Sequence, residues 1–286
     1  MLSYQHAYHA GNFADVHKHL CTYAAAEHLL RKKSPITFID THAGRGSYPL
    51  TARETEQLQE YRDGVERLWK ERRQLQDQPL LGQWLEALGA LQEGERLVCY
   101  PGSPWWLGSR VRDQDRLTLF ELHPGEHRHL AEQSVVAPEH EGKLRRVHGD
   151  GLEGLVKALP VATPRLCVLI DPSFERKDEY LEVVETLRQA MRKARHAVVL
   201  VWYPLLPAGR HRAMLEALGG SGIRKIWRSE VCREPPTHAT HGMYGSGMLV
   251  INLPWGLDQA LEAAIQRWLP VLGAQSSHRS SWLVEE

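Results

Sequence analysis

Cysteine is scarce in this chain. Cys21, Cys99, Cys167 and Cys232 are four in 286 residues and form no CxxC pair, which removes the usual patterns of a disulfide framework or a thiolate metal site. Cys167 lies inside an apolar run, where a small buried thiol is expected. No stretch approaches the roughly 18 apolar residues of a membrane span, and the opening "MLSYQHAYHAGNFADVHKHL" is too polar for a signal peptide. Net charge is missing as well. Lys and Arg number 35 against 35 Asp and Glu, so no global field draws the chain to a polyanion or an anionic membrane. Any such partner must be met by local patches. Repeats and low-complexity tracts are absent too. What remains is the profile of a soluble cytoplasmic protein, long enough for one large domain or one domain plus an insertion.

Strand patterns are what the chain has in quantity. "ITFID" (36–40), "RLTLFEL" (116–122), "KLRRVHG" (143–149), "RLCVLID" (165–171), "HAVVLVWY" (196–203), "IRKIWRSEV" (223–231) and "GMLVINL" (247–253) read as seven strands. Amphipathic helical stretches separate several of them, which predicts a mostly parallel sheet with helices on both faces. Only the Gly/Pro-rich "CREPPTHATHGMYGS" joins the last two. No crossover helix fits there, so the last strand should run antiparallel. A first helix is expected from near Asn12, with Phe13, Val16, Leu20, Tyr23 and Ala24 at helical spacing.

Residues 51–95 interrupt the alternation. They are rich in Glu, Gln, Arg and Leu, with one helical stripe at Leu58, Tyr61, Val65, Leu68 and Trp69 and another at Leu81, Trp84, Leu85 and Leu88. Two inserted helices predict a small helical subdomain (51–95) within a main domain formed by 1–50 and 96–286. Ordinary surface helices of the main domain would read the same way.

Four strands end on an acid: Asp40 in "FIDTHAGRGSY", Glu121 in "LTLFELHP", Asp150 in "RRVHGDGLEG" and Asp171 in "LIDPSF". Asp-Pro alone often just caps a turn. In a doubly wound sheet, however, the carboxyl ends of the strands line one crevice where ligands bind. Each position suits a nucleoside cofactor that has no pyrophosphate. Gly44 and Gly46 permit a tight turn, an acid ending the second strand can accept ribose hydroxyls, and Asp150 can accept from an adenine amine. A dinucleotide would want G-x-G-x-x-G, but Gly46 is followed by Ser-Tyr-Pro. The ordered series of glycine loop, Glu, Asp-Gly and Asp-Pro-x-aromatic is the pattern of Rossmann-like class I methyltransferases that use S-adenosylmethionine (SAM).

The segments "MLSYQHAYHAGNFADVHKH", "DTHAGRGSY", "YPGSP", "ELHP", "GDG", "LIDPSFERK", "WYP", "GIRKI" and "SGMLVINLPW" together resemble the RlmJ family of 23S rRNA adenine-N6 methyltransferases, in the same order and over nearly the whole chain. The resemblance implies a fold, a cofactor and a set of roles. Asp171 would be catalytic, accepting a hydrogen of the target amine. His19, His42, Ser103, Glu121, Asp150, Gly151 and Asp171 would contact SAM. Tyr4, Lys18 and Phe174 would serve the RNA substrate, with Lys18 on a phosphate or on the methionine carboxylate and Phe174 stacked on the adenine. Ser173 departs from the family's usual Asp-Pro-Pro-aromatic and costs the loop some rigidity.

His6, His9, His17 and His19 invite a metal reading, but no Cys or acid completes a tetrahedral set at ligand spacing, so no metal is expected. The basic clusters at 31–33, 70–73, 192–195 and 209–212 read singly as solvated faces. A monomer acting on 23S rRNA, with no membrane or metal, is the expectation. A DNA adenine methyltransferase uses the same Asp-Pro-x-aromatic chemistry, and Ser173 also admits a SAM- or RNA-binding relative without catalysis.

Overall fold

The computed structural model describes residues 5–235 and 242–285, so Tyr4 lies outside the described residues. In chain order the strands are β1 (Ile36–Asp40), β2 (Ser47–Pro49), β3 (Cys99–Pro101), β4 (Arg116–Glu121), β5 (Leu144–His148), β6 (Arg165–Ile170), β7 (Val198–Leu205), β8 (Ile226–Cys232), β9 (Gly245–Ile251) and β10 (Ser277–Val284). Helices fill the connections. They are α1 (Phe13–Leu30), α2 (Arg53–Leu58), α3 (Val65–Lys70), α4 (Arg72–Leu75), α5 (Pro79–Gly89), α6 (Ser103–Gly108), α7 (Pro124–Glu132), α8 (Gly151–Ala158), α9 (Glu179–Lys193), α10 (His211–Gly219) and α11 (Leu257–Leu272).

Eight strands form one sheet in the order β10-β8-β9-β7-β6-β1-β4-β5, while β2 and β3 make a separate antiparallel pair. β5, β4, β1, β6 and β7 run parallel. β9 runs antiparallel to both of its neighbours, β7 and β8, as the missing crossover helix requires. Period-two alternation divides the core. Phe38, Leu117, Leu169 and Leu200 face the layer holding α1 and α11, while Ile39, Val168 and Val201 face the layer holding α8, α9 and α10.

The sheet gains an eighth strand that the seven sequence patterns do not include. β10 reads "SHRSSWLV" and is mostly exposed, so it lacks the apolar alternation by which strands are recognised. Its ladder to β8 holds it, together with one buried side chain, His278. From His278 a chain of polar contacts crosses the molecule. Glu262 on α11 lies 3.2 Å from Nδ1 of His278, whose Nε2 lies 2.7 Å from Ser229 Oγ. His17 bridges Ser229 and Ser246, at 3.0 Å each, and Ser246 accepts the Trp202 indole N–H at 3.0 Å.

α1 begins where its spacing predicts, capped by Asn12, whose side chain accepts the Asp15 N–H. The first stripe of the 51–95 segment does not form one helix. Gln59 is left-handed (φ 54°), and Gly64 packs so closely that a Cβ there would lie 2.2 Å from the Gly11 carbonyl oxygen. The break leaves Leu58 exposed, whereas Val65, Leu68, Trp84 and Leu88 join the buried cluster that includes α1 and α11.

Candidate active site

The carboxyl ends of β1, β4, β6 and β7 open on one cavity of about 410 Å³, within the usual range for small-molecule sites, about 300–1,000 Å³. His19, His42, Ser103, Glu121, Asp150, Gly151 and Asp171 all line it, and so does Lys18.

Asp171 is carried in on β6, whose residues Leu166 to Ile170 are fully buried, and Pro172 ends the ladder behind it. Its Oδ2 lies 2.6 Å from the Lys18 ammonium. Lys18 is buried and also lies 2.9 Å from Asp15, one turn earlier on α1. Asp15 in turn accepts the Gly11 N–H at 2.8 Å and lies 2.9 Å from Nε2 of His6. Burial raises the pKa of Asp171, and the Lys18 charge works against that rise. Burial would raise Asp15 too, but His6 and Lys18 hold it well below the usual carboxylate range. Burial alone would lower Lys18; its two carboxylates override this and raise it. The result is an ion triad at the base of the cavity.

Glu121 ties the glycine loop to the site. Its two carboxylate oxygens accept the Gly44 N–H at 2.8 Å and the His123 N–H at 2.6 Å, and each oxygen keeps acceptor capacity for a ligand hydroxyl. Burial raises its pKa. Asp150 caps α8, accepting from the N–H groups of Leu152 and Glu153 through Oδ1. Gly151 follows because the β1 loop crosses its backbone; a Cβ there would lie 1.8 Å from the Thr41 carbonyl oxygen. His42 is held by Thr41 Oγ1 at 2.8 Å and is lowered to about 4, chiefly by burial. His19 meets the Tyr100 hydroxyl at 2.8 Å, and burial keeps it neutral.

One buried polar atom of the cavity lining, His19 Nε2, has no protein partner. Buried Asp40 is pushed up to about 7, mainly by that burial. An orphaned group such as His19 Nε2 is costly unless a ligand meets it. A cofactor bearing ammonium, carboxylate and ribose hydroxyl groups supplies matching partners, so this donor set fits SAM. Among the described residues, no three His, Cys, Asp or Glu side chains converge as a metal site.

One placement departs from expectation. Phe174 does not line the cavity. Its left-handed backbone (φ 53°) turns the ring into the core, stacked at 4.3 Å on Tyr180, so this placement does not provide stacking on an adenine. Trp202 on β7 and Tyr48 are the aromatics that do line the cavity. Lys18 lines the cavity with its ammonium engaged by two carboxylates. Asp15 and Trp202 are site residues that sequence reasoning missed. Asp15 was legible, since "NFADVHK" places it three residues after the cap and three before Lys18. Trp202 lies in "WYP", one of the segments that carry the family resemblance, but nothing in that segment assigned it a role.

A doubly wound sheet with an acid at the ends of β1, β4, β5 and β6 and a nucleoside-sized cavity beside them defines a class I SAM-dependent methyltransferase. A family model described as Ribosomal RNA large subunit methyltransferase D, RlmJ matches residues 33–284, and the chain belongs to this family. It is 34% identical to Ribosomal RNA large subunit methyltransferase J of Escherichia coli (strain K12), with 100% of both chains covered. The protein of the same name from Haemophilus influenzae (strain ATCC 51907 / DSM 11121 / KW20 / Rd) is 33% identical over 100% of this chain and 98% of its own. A crystal structure of protein LPL1258 from Legionella pneumophila str. Philadelphia 1 superposes with a TM-score of 0.87 at 30% identity, covering 96% of this chain and 98% of that one.

Glu121→Ala is expected to weaken SAM binding by calorimetry. Removing it deletes charge-assisted hydrogen bonds worth about 1.5–3 kcal/mol each at most. RNA binding should not change. Unaltered SAM affinity would mean that Glu121 serves only the loop.

Proposed function

We propose that the protein transfers the SAM methyl group to the N6 amine of an adenine in 23S rRNA. The observation that carries this reading is Asp171, ionically held at the cavity within an Asp-Pro-x-aromatic turn. An adenine amine is a poor nucleophile because its lone pair is delocalised into the ring. Asp171 and the Pro172 carbonyl would accept its two hydrogens, favour a pyramidal nitrogen and stabilise the positive charge that grows on it. When bound, SAM supplies a methyl group on a sulfonium that is already a good leaving group. The N–C bond would form as the C–S bond broke, and Asp171, whose pKa burial raises, would take the amine proton. Lys18 keeps Asp171 ionised beforehand. Trp202 would offer the base a flat wall, taking the place expected of Phe174, and the target must leave its stack to reach it.

The contacts expected of His19, His42, Ser103, Asp150 and Gly151 belong to the same proposal, as does Tyr4 on the RNA. So do a helical insertion at 51–95 and a monomer working in the cytoplasm. Among the described residues no helix is long and apolar enough to cross a membrane.

Incubating the protein with labelled SAM and either naked 23S rRNA or duplex DNA tests the reading. Label in an adenine of the rRNA, mapped to N6, supports it. Label in DNA alone favours the DNA adenine methyltransferase, and SAM binding without transfer favours a non-catalytic relative.

A further inference from the structure

The edge of the sheet opposite the catalytic cavity carries a second concavity, of about 490 Å³. Its lining comes from the end of α9, the loop before β8 and the residue after β9. Arg188, Arg192, Arg195, Arg224 and Lys225 supply five cationic side chains, and none of the lining residues is acidic. Arg188 has a neighbour, Glu185, at 3.8 Å. In a chain of zero net charge, five cations around one groove are a local field that composition alone hides. Two separate sequence segments make it: the cluster "RKAR" and the motif "GIRKI", which the methyl-transfer site does not use.

The groove has a fixed frame. The Asn252 side-chain amide donates to the carbonyls of Arg195 and Ala197, at 2.8 Å each, and its backbone N–H donates to the Lys225 carbonyl at 3.0 Å. Lys225 and Asn252 are both left-handed, at φ 56° and 55°. Three residues past Asn252 stands Trp255, 94% exposed; the next most exposed large apolar side chain among the described residues is Leu181, at 55%. Chain geometry keeps the Trp255 backbone within about 11 Å of Asn252. Cations that meet phosphates beside an open indole that can stack on a base are the two elements of an unpaired-strand binding surface. The exposed "RKKS" at 31–34, leading into β1 on the same edge, extends the positive surface across the sheet.

We infer that this edge is a second RNA-binding surface, which takes the phosphates of an rRNA segment in the basic groove and stacks an unpaired base on Trp255. The inference rests on the rRNA reading above. β7 is 8 residues long, so about 26 Å of sheet separates this edge from the catalytic one. The RNA bound here is therefore distinct from the target nucleotide, and its role is affinity and placement of a large substrate.

The test uses the full chain and in vitro-transcribed 23S rRNA, with filter binding from about 50 to 200 mM salt. Combining Arg192→Gln, Arg195→Gln and Arg224→Gln should weaken binding about tenfold or more and reduce the slope of log K against log salt by about 2. All three side chains are exposed, so the fold, SAM affinity and turnover at saturating rRNA should be unchanged. Trp255→Ala should weaken binding about five- to tenfold with the salt slope intact, because stacking releases no counterions. Wild-type affinity and slope in both variants overturn the inference. So does normal binding to naked rRNA combined with lost binding to an immature ribosomal particle, which would assign the edge to a protein partner. If the unaltered protein methylates rRNA while these variants bind normally, only this inference fails; if it does not methylate rRNA at all, the functional reading fails.

Discussion

Asp171→Asn should slow methyl transfer by about 100-fold while leaving SAM affinity within a few-fold. Asn keeps the shape and one acceptor oxygen at the end of β6, so the cavity stays formed. What disappears is the negative charge facing the amine as positive charge develops there, and with it the group that takes the proton. The Lys18 ammonium, 2.6 Å from Asp171 Oδ2 in the native protein, would then face a neutral amide and add repulsion to the developing cation. Single-turnover transfer of labelled methyl to 23S rRNA, with SAM binding measured in parallel, separates this role from a structural one. Near-normal turnover would remove Asp171 from the chemistry.

Lys18→Met should have the largest effect on stability, a loss of about 3–5 kcal/mol, because it leaves Asp15 and Asp171 buried without their shared cation. The sign of its pH dependence follows. Burial already raises Asp171 above its unfolded value, and Lys18 opposes that rise. Without Lys18 the folded-state pKa climbs further, so the folded protein binds an extra proton over a wider range above the unfolded value. The variant should therefore recover stability as the pH falls toward that range and lose it as the pH rises. Its rate should show the converse, with the acidic limb of the pH–rate profile displaced upward, since Asp171 must be ionised to act. Urea unfolding across pH checks the first statement and single-turnover rates the second. Lys18→Arg keeps the charge and should restore most of both; equal damage from Arg and Met would mean that shape, not charge, is what the site needs from Lys18.

The strand ends were legible because β1 and β6 are buried runs, and β4 an apolar-rich strand, that each stop abruptly on a carboxylate, and topology alone brings such ends together. The cofactor-side residues followed from that order. β10 was not legible, since an edge strand held by its backbone ladder needs no apolar face. Nor was the direction of Phe174, which depends on a left-handed backbone at a position where the residue type does not demand one. The break at Gly64 depends on the Gly11 backbone, 53 residues earlier in the chain, and no local pattern carries that contact.

The polar chain from Glu262 to Trp202 has a direction. An indole can only donate and a carboxylate can only accept. Burial lowers His278 and takes His17 down to about 3, so both rings are neutral near pH 7. Glu262 lies 3.2 Å from Nδ1 of His278 without making a hydrogen bond to it, and its charge favours the proton on that nitrogen. The order this favours is Trp202 donating to Ser246, Ser246 to Nδ1 of His17, Nε2 of His17 to Ser229, and Ser229 to Nε2 of His278. The reverse order would turn the bare lone pair of His278 Nδ1 toward the Glu262 carboxylate, which opposes it. Each ring is thereby biased toward one tautomer, and a carboxylate on α11 bears on the contacts of an indole at the catalytic wall. A last strand that the core hardly needs thus acts as the outer anchor of the methyl-transfer site, and the signature of cutting it should be a change in the Trp202 emission of a folded protein.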